Sequence, residues 1–357
     1  MIKKFFSGIG LLLLFVMAVA VAGTASWFFK HLNPELNLES SQVLEVAPGR
    51  SFISLLNQFE QEGVIATALP MRIWLRLNSD VAPIRAGEYR LESPLTLREL
   101  HRRMQAGEVI TYRLTLLEGW TFREFRRALA QAEKLEAVTA EWSEAEIMEA
   151  VGMPGEAAEG WFFPDTYTYH KGMRDLDLLR LANRRMRQLL EEVWDTRQAG
   201  LPYRNAYDAL IMASIIERET GAPHERRDIS GVFVRRLHKG MRLQTDPTVI
   251  YGMGERYQGR ITRSDLREAT PWNTYVIRGL PPTPIAMPGE AALRASVDPA
   301  EGETLFFVAR GDGTHQFSRT LEEHNRAVRE FQLNRREGYR SWPAAPDNQG
   351  AGGGENE

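Results

Sequence analysis

The chain of 357 residues contains no cysteine. Disulfides, thiol nucleophiles and thiolate metal sites are thereby excluded, and the composition suits either a cytosolic or a periplasmic life. Charge of one sign is also missing: 44 basic side chains face 47 acidic ones, for a formal net charge of -3. A nucleic-acid binder would need a basic excess, so no nucleic-acid partner is expected. There is no GxSxG elbow and no Walker loop, and GMG at residues 252–254 is too short for a dinucleotide fingerprint. A zinc motif begins but is not completed. His224-Glu225-Arg226-Arg227-Asp228 carries Asp where the second His belongs and, with Pro223 before it, reads as a polar helix start. Neither a metal nor a cofactor is expected.

What is present begins with a long apolar run. Between Lys4 and Lys30 the sequence FFSGIGLLLLFVMAVAVAGTASWFF has no charged residue, which is enough for a helix to cross a bilayer core. Lys3 and Lys4 precede it and Trp27, Phe28 and Phe29 follow at the far interface. The positive-inside tendency gives a single-pass anchor over 1–30 in a cell inner membrane, with a cytoplasmic N-terminus and a periplasmic body. The competing reading is a cleaved signal peptide cut near residues 22–26. The run is longer than a typical signal core, which favours the anchor.

The fold class read from the remaining pattern is α+β. Residues 31–42, polar and carrying Pro34, read as a stalk. At Val43 a strand begins, turns at Pro48-Gly49 and passes into helical spacing at Phe52, Leu55, Leu56 and Phe59, with Ser51 as a cap. Related strand–turn–helix segments start at Tyr89 and Tyr112. The unit over 43–112 resembles the LysM module, which implies either glycan binding or a spacer role. Residues 113–340 read as a larger mixed α/β catalytic domain and 341–357 as a disordered tail. Within the larger domain, 133–159 reads as acidic helix. EGWFFPDTYTYHKG (159–172) is aromatic-rich and serves as either a sugar-facing wall or core. Residues 178–196 and 228–237 read as helices, 242–254 and 271–289 as site loops, 303–320 as a hairpin and 321–337 as a closing helix.

The chemistry concentrates in ALIMASIIERETG, residues 209–221. On a helical wheel, Asp208, Met212, Ile215 and Ile216 fall on the side of Glu219, while Glu217 lies nearly opposite, near Leu210 and Ser214. The helix is apolar almost all round, which predicts burial. A buried carboxyl in the last turn of a helix, near the negative end of its dipole, has a raised pKa, as a general acid near neutral pH requires. Ordinary surface carboxylates, with Arg218 in an ion pair, are the alternative.

ASIIERET, then VFVRRLHKGMRLQTDPTVIYGMG, NTY and GLPP, is similar to the YceG/MltG family of endolytic murein transglycosylases. The similarity runs from the N-terminal anchor through EGWFFPDTY to THQFSRTLEEHN. Within GLPPTPIAMPG, Thr283 stands where a small glycine is expected and Met287 where a small or polar residue is usual. The resemblance implies cleavage of the MurNAc-β-1,4-GlcNAc bond inside peptidoglycan strands, with closure of a 1,6-anhydro ring. It makes Glu219, the second Glu of the family's ExE motif, the single acid/base, and Glu217 a supporting residue. Gln244, Thr245, Asp246, Tyr251, Asn273 and Tyr275 become candidates for holding the sugars. The resemblance also implies a penicillin-binding-protein synthase as a partner. Two other readings stay open: a two-carboxylate hydrolase with Glu219 as acid and Asp246 as base, and a non-catalytic wall-binding scaffold.

Overall fold

A computed structural model of the protein describes residues 2–78 and 82–333. It is a mixed helix and sheet architecture whose contacts divide it into two compact units. One comprises Met1–Tyr112 with Thr168–Met173, the other Arg113–Tyr167 with Arg174–Glu357. The tail expected over 341–357 lies outside the described residues, as does the end of the closing helix.

The first unit opens with α1 (Ile2–Leu32), whose segment Leu12–Leu32 is long and apolar enough to cross a membrane. Its apolar side chains at Leu12, Leu13, Leu14 and Phe15 are exposed. Then follow β1 (Gln42–Val46), α2 (Phe52–Gln61), α3 (Leu69–Leu77), β2 (Gly87–Leu91) and α4 (Leu97–Ala106). β1 and β2 pair antiparallel, Gln42 opposite Leu91 and Val46 opposite Gly87. Ser51 caps α2 and Thr96 caps α4, each accepting from the backbone N–H three residues on. Leu55, Leu56, Phe59, Met71, Tyr89, Leu97 and Leu100 form the core of this unit. The segment expected to be a free stalk is docked here instead. Leu32 and Leu36 are buried, and Leu36 and Asn37 donate backbone hydrogen bonds to Leu95 and Val64 carbonyls. Three leucines in an otherwise polar stretch, Leu32, Leu36 and Leu38, supplied enough apolar area to tie it down.

β3 (Thr111–Thr115), the third strand of the apparent repeat, does not join that sheet. It pairs with β4 (Thr166–His170), and the division between the units falls within these two strands. The second unit then contains α5 (Phe122–Gln131), α6 (Glu144–Ala150), α7 (Asp175–Asp195), α8 (Ala206–Glu219), α9 (Arg226–His238), α10 (Asp246–Met253) and α11 (Glu290–Val297). A hairpin of β5 (Phe306–Ala309) and β6 (His315–Ser318) and then α12 (Leu321–Val328) complete it. The acidic stretch 133–159 is helical only across α6; its remainder is turns. The closing helix passes into a π turn at Arg329–Leu333.

α8 is the centre of this unit. Asn205 caps it by accepting from Asp208 N–H. Leu210, Ile211, Met212, Ala213, Ile215 and Ile216 are all fully or almost fully buried, among α7, α9 and α11. The aromatic segment joins the core rather than a sugar-facing wall: Phe162 is buried and stacked on Phe122, and Trp161 stacks on Tyr207. Truncation of Ile215 to Ala is expected to destabilise the protein by about 2–5 kcal/mol through lost contact and the cavity left behind. A fall in the urea midpoint with an unchanged m-value checks it.

Candidate active site

The last turn of α8 sends its two carboxylates in different directions. Glu217, 6% exposed, accepts from Arg226 Nη2 at 3.2 Å and from Gly289 N–H at 3.0 Å. Burial raises its pKa, and Arg226 and Gly289 oppose that rise. A Cβ at Gly289 would lie 1.9 Å from Oε1 of the exposed Glu118 side chain, which would have to swing aside. Glu217 is thus held in a packed ion pair, away from the open cleft.

Glu219 opens onto that cleft, a space of about 830 Å³ floored by α10 and walled by the β5–β6 hairpin and α12. Its Oε1 accepts a short hydrogen bond from Thr245 Oγ1. Desolvation pushes its pKa up to about 7; Thr245 opposes the rise, Asp246 adds to it and Arg236 opposes it. Arg236 is itself buried, with Nε donating to Leu305 O at 2.6 Å and Nη1 to Leu243 O at 2.7 Å. Its guanidinium lies over the Phe306 ring at 5.0 Å. Those carbonyls hold the cation where it faces Glu219, at the cost of a depressed Arg pKa from burial.

Residues 244–246 are fastened beneath Glu219 by the segment after Pro271. Gln244 N–H donates to Thr274 O at 3.2 Å and Thr245 N–H to Thr274 Oγ1 at 3.0 Å. Thr248 Oγ1 lies 2.9 Å from Thr274 Oγ1 and donates to Thr245 O at 2.7 Å. Gln244 adopts a left-handed backbone (φ 53°) to make this approach. The expected loop over 242–254 is therefore only half a loop. Pro247 near the N-terminus of α10 pre-sets helical φ where no N–H is needed, and Asp246–Met253 is helix.

Of the residues singled out in the sequence, Glu219, Gln244, Thr245 and Asp246 converge, and Tyr275 joins them by donating from its hydroxyl to Asp246 Oδ1 at 2.6 Å. Asn273 does not reach the cleft. It is buried, its amide donates to Asp265 O and Glu268 O, and its Oδ1 accepts from Tyr275 N–H, so it shapes the loop that carries Tyr275. Tyr251 faces a neighbouring cavity with Glu159. Thr274, Arg236 and His324 were missed, and Arg218 was named only as an ion-pair partner. Arg218 donates to Gly119 O at 2.9 Å and lines the cleft, as does His324, stacked on Phe306. The incomplete zinc motif is otherwise engaged: Glu225 Oε2 lies 2.7 Å from His315 Nδ1, and Arg226 serves Glu217. Among the described residues no group of His, Cys, Asp and Glu is placed to hold a metal.

Glu219 binds its proton more tightly in the folded protein than its ordinary value of 4.5 provides, so burial of the carboxyl weakens the fold as pH rises from about 4.5 to about 7. Glu219→Gln removes that penalty. The variant is expected to be more stable than the parent above pH 7, by at most about 3 kcal/mol and less where the open cleft screens the charge. The difference shrinks towards zero below pH 4.5, which thermal unfolding across pH 4–8.5 would read.

A model of the YceG-like family matches residues 44–330 of the chain. A Bacillus subtilis protein named endolytic murein transglycosylase is 25% identical over 331 residues, covering 87% of this chain and 91% of the relative. A Streptococcus pneumoniae protein of the same name is 23% identical over 329 residues, covering 83% of this chain and 59% of the relative. A solved structure of a YceG-like protein from Listeria monocytogenes is 27% identical, covers 81% of this chain and 99% of that one, and superposes with a TM-score of 0.49. With a family segment that runs over residues 44–330, reaches into both units and includes Glu219, the chain belongs to the YceG-like family.

Proposed function

We propose that the protein is a membrane-anchored endolytic peptidoglycan lytic transglycosylase that cuts the MurNAc-β-1,4-GlcNAc bond within glycan strands and leaves a 1,6-anhydro-MurNAc end. The observation that carries this reading is the placement of Glu219, a desolvated carboxyl at the end of α8 that opens onto a cleft of about 830 Å³. With a pKa pushed up to about 7, Glu219 is substantially protonated at neutral pH. It can give its proton to the glycosidic oxygen as the bond breaks, then take the proton of the muramoyl C6 hydroxyl as that oxygen closes on C1. The proton count balances, and water is not consumed. Asp246, the base of a hydrolytic alternative, is exposed and already accepts from Tyr275. That favours a role in orienting sugar hydroxyls and adding negative potential beneath an oxocarbenium-like transition state. Gln244, Thr245 and Tyr275 complete the proposed substrate contacts; Glu217 supports by fixing the end of α8. The relatives named endolytic murein transglycosylase support the same chemistry.

On this reading α1 anchors the chain in the inner membrane with the body in the periplasm. The segment over residues 43–112 is a LysM-like module that positions or binds glycan. A penicillin-binding-protein synthase is the fitting partner, because an endolytic cut terminates a growing strand.

Incubation with uncrosslinked peptidoglycan strands, followed by mass spectrometry, is expected to yield anhydro-muramoyl ends. Glu219→Gln should lower the rate by about 10²–10⁴-fold. Products heavier by one water would replace the lyase with a hydrolase, and strand binding without cleavage would leave only a scaffold. Initial rates should fall as pH rises past about 7, when Glu219 loses its proton. A rate still rising through pH 8.5 would remove Glu219 from the acid role.

A further inference from the structure

A second cavity of about 570 Å³ adjoins the Glu219 cleft; Arg218, Pro247, Ile250 and Tyr257 line both. Its floor is Glu159, only 6% exposed, which accepts from Phe122 N–H at 3.0 Å and is hydrogen-bonded to the Tyr251 hydroxyl. Gly160, beside it, has a left-handed backbone (φ 84°), and a Cβ there would lie 2.5 Å from Pro284, so the floor is tightly seated. The Tyr251 hydroxyl also bonds Thr283, whose Oγ1 accepts from Trp272 Nε1 at 2.9 Å. The Tyr251 and Trp272 rings stand edge to face at 5.5 Å, both partly exposed.

The lining gathers hydrogen-bonding side chains of both signs: Arg123 and Arg218 stand with Glu124, Glu144, Glu159 and Glu255, next to the Tyr251 and Trp272 rings. Burial pushes the Glu159 carboxyl up to about 8, so at neutral pH it is an acid that can donate as well as accept. Several of the rim charges are engaged: Arg123 pairs with Glu255 at 3.0 Å, Arg218 donates to Gly119 O, and Glu124 accepts from Thr121 N–H. Carboxyl groups beside aromatic rings suit a polyhydroxylated ring better than an anion. An endo-acting enzyme must also hold the polymer beyond the bond it breaks.

We infer that this second cavity is a saccharide subsite, taking a hexosamine ring of the same strand at a remove from the bond at Glu219. Tyr251 and Trp272 offer their faces, Glu159 bonds the ring's hydroxyl or acetamido group, and Thr283 is a positioning residue that holds the two aromatic rings in place. The inference rests on the glycan-cleaving reading above.

The test uses the full-length chain in detergent. In the Glu219→Gln background, calorimetry with short and long chitooligosaccharides is expected to show affinity rising with length. Thr283→Val, which keeps the shape and loses the hydroxyl that serves both Tyr251 and Trp272, should erase at least about three- to tenfold of that rise and leave short-oligomer affinity unchanged. Trp272→Ala should erase more. In the active enzyme Thr283→Val should raise KM for long strands with little change in kcat, and Thr283→Ser should restore it. Persisting length dependence in both variants would overturn the subsite while leaving the proposed reaction standing. A length effect seen only with strands bearing stem peptides would reassign the cavity to peptide. If neither oligosaccharides nor peptidoglycan strands bind or are cut, the proposed function itself fails, and the subsite with it.

Discussion

The second unit depends on the burial of one helix on nearly every side. α8 has no polar face to turn to water, so α7, α9 and α11 must close around it, and the enclosure fixes where its C-terminal turn ends. A carboxyl at that point is partly stripped of water whether or not chemistry is done there. The electrostatics of the site follow from this packing: the desolvation that raises Glu219 is larger than either the Thr245 hydrogen bond or the Arg236 charge that opposes it. Glu217, two residues earlier, meets the same desolvation but is given Arg226 and a backbone N–H, and it becomes part of the scaffold.

Much of this was legible locally. The largely apolar run from Ala209 to Ile216 announces a buried helix, and the 100° spacing separates Glu217 from Glu219 before any coordinates are known. Hairpin and strand boundaries were similarly readable, because glycine turns and alternation are properties of adjacent residues. What was not legible comes from pairings distant in sequence. Thr274 meets Thr245 across 29 residues, and Arg236 reaches the carbonyl of Leu305 across 69. No local pattern marks those residues, since a threonine in a loop or an arginine on a helix has too many ordinary uses.

The misreadings have separate physical origins. Asn273 looked like a polar site residue but spends its amide on its own loop, as an Asn in an irregular proline-rich segment commonly does. Pro247 looked like a loop marker and instead starts a helix. β3 resembled the strands before it, yet strand pairing is decided by partners far along the chain, and β4 was the available one. Thr283, a mere loop substitution by its sequence context, anchors the indole of Trp272.

The three threonines under Glu219 have a further consequence. The Thr248 hydrogen is committed to Thr245 O, so the hydrogen shared between Thr248 and Thr274 belongs to Thr274, and the chain of hydroxyls has one sense only. The single rotor left free is Thr245 Oγ1. A hydroxyl can donate to a carboxylate and, after turning about its C–O bond, accept from a carboxylic acid. The partner of Glu219 can therefore follow a full cycle of proton release and recovery by moving one hydrogen, with every heavy atom of the cleft floor left where the fold put it.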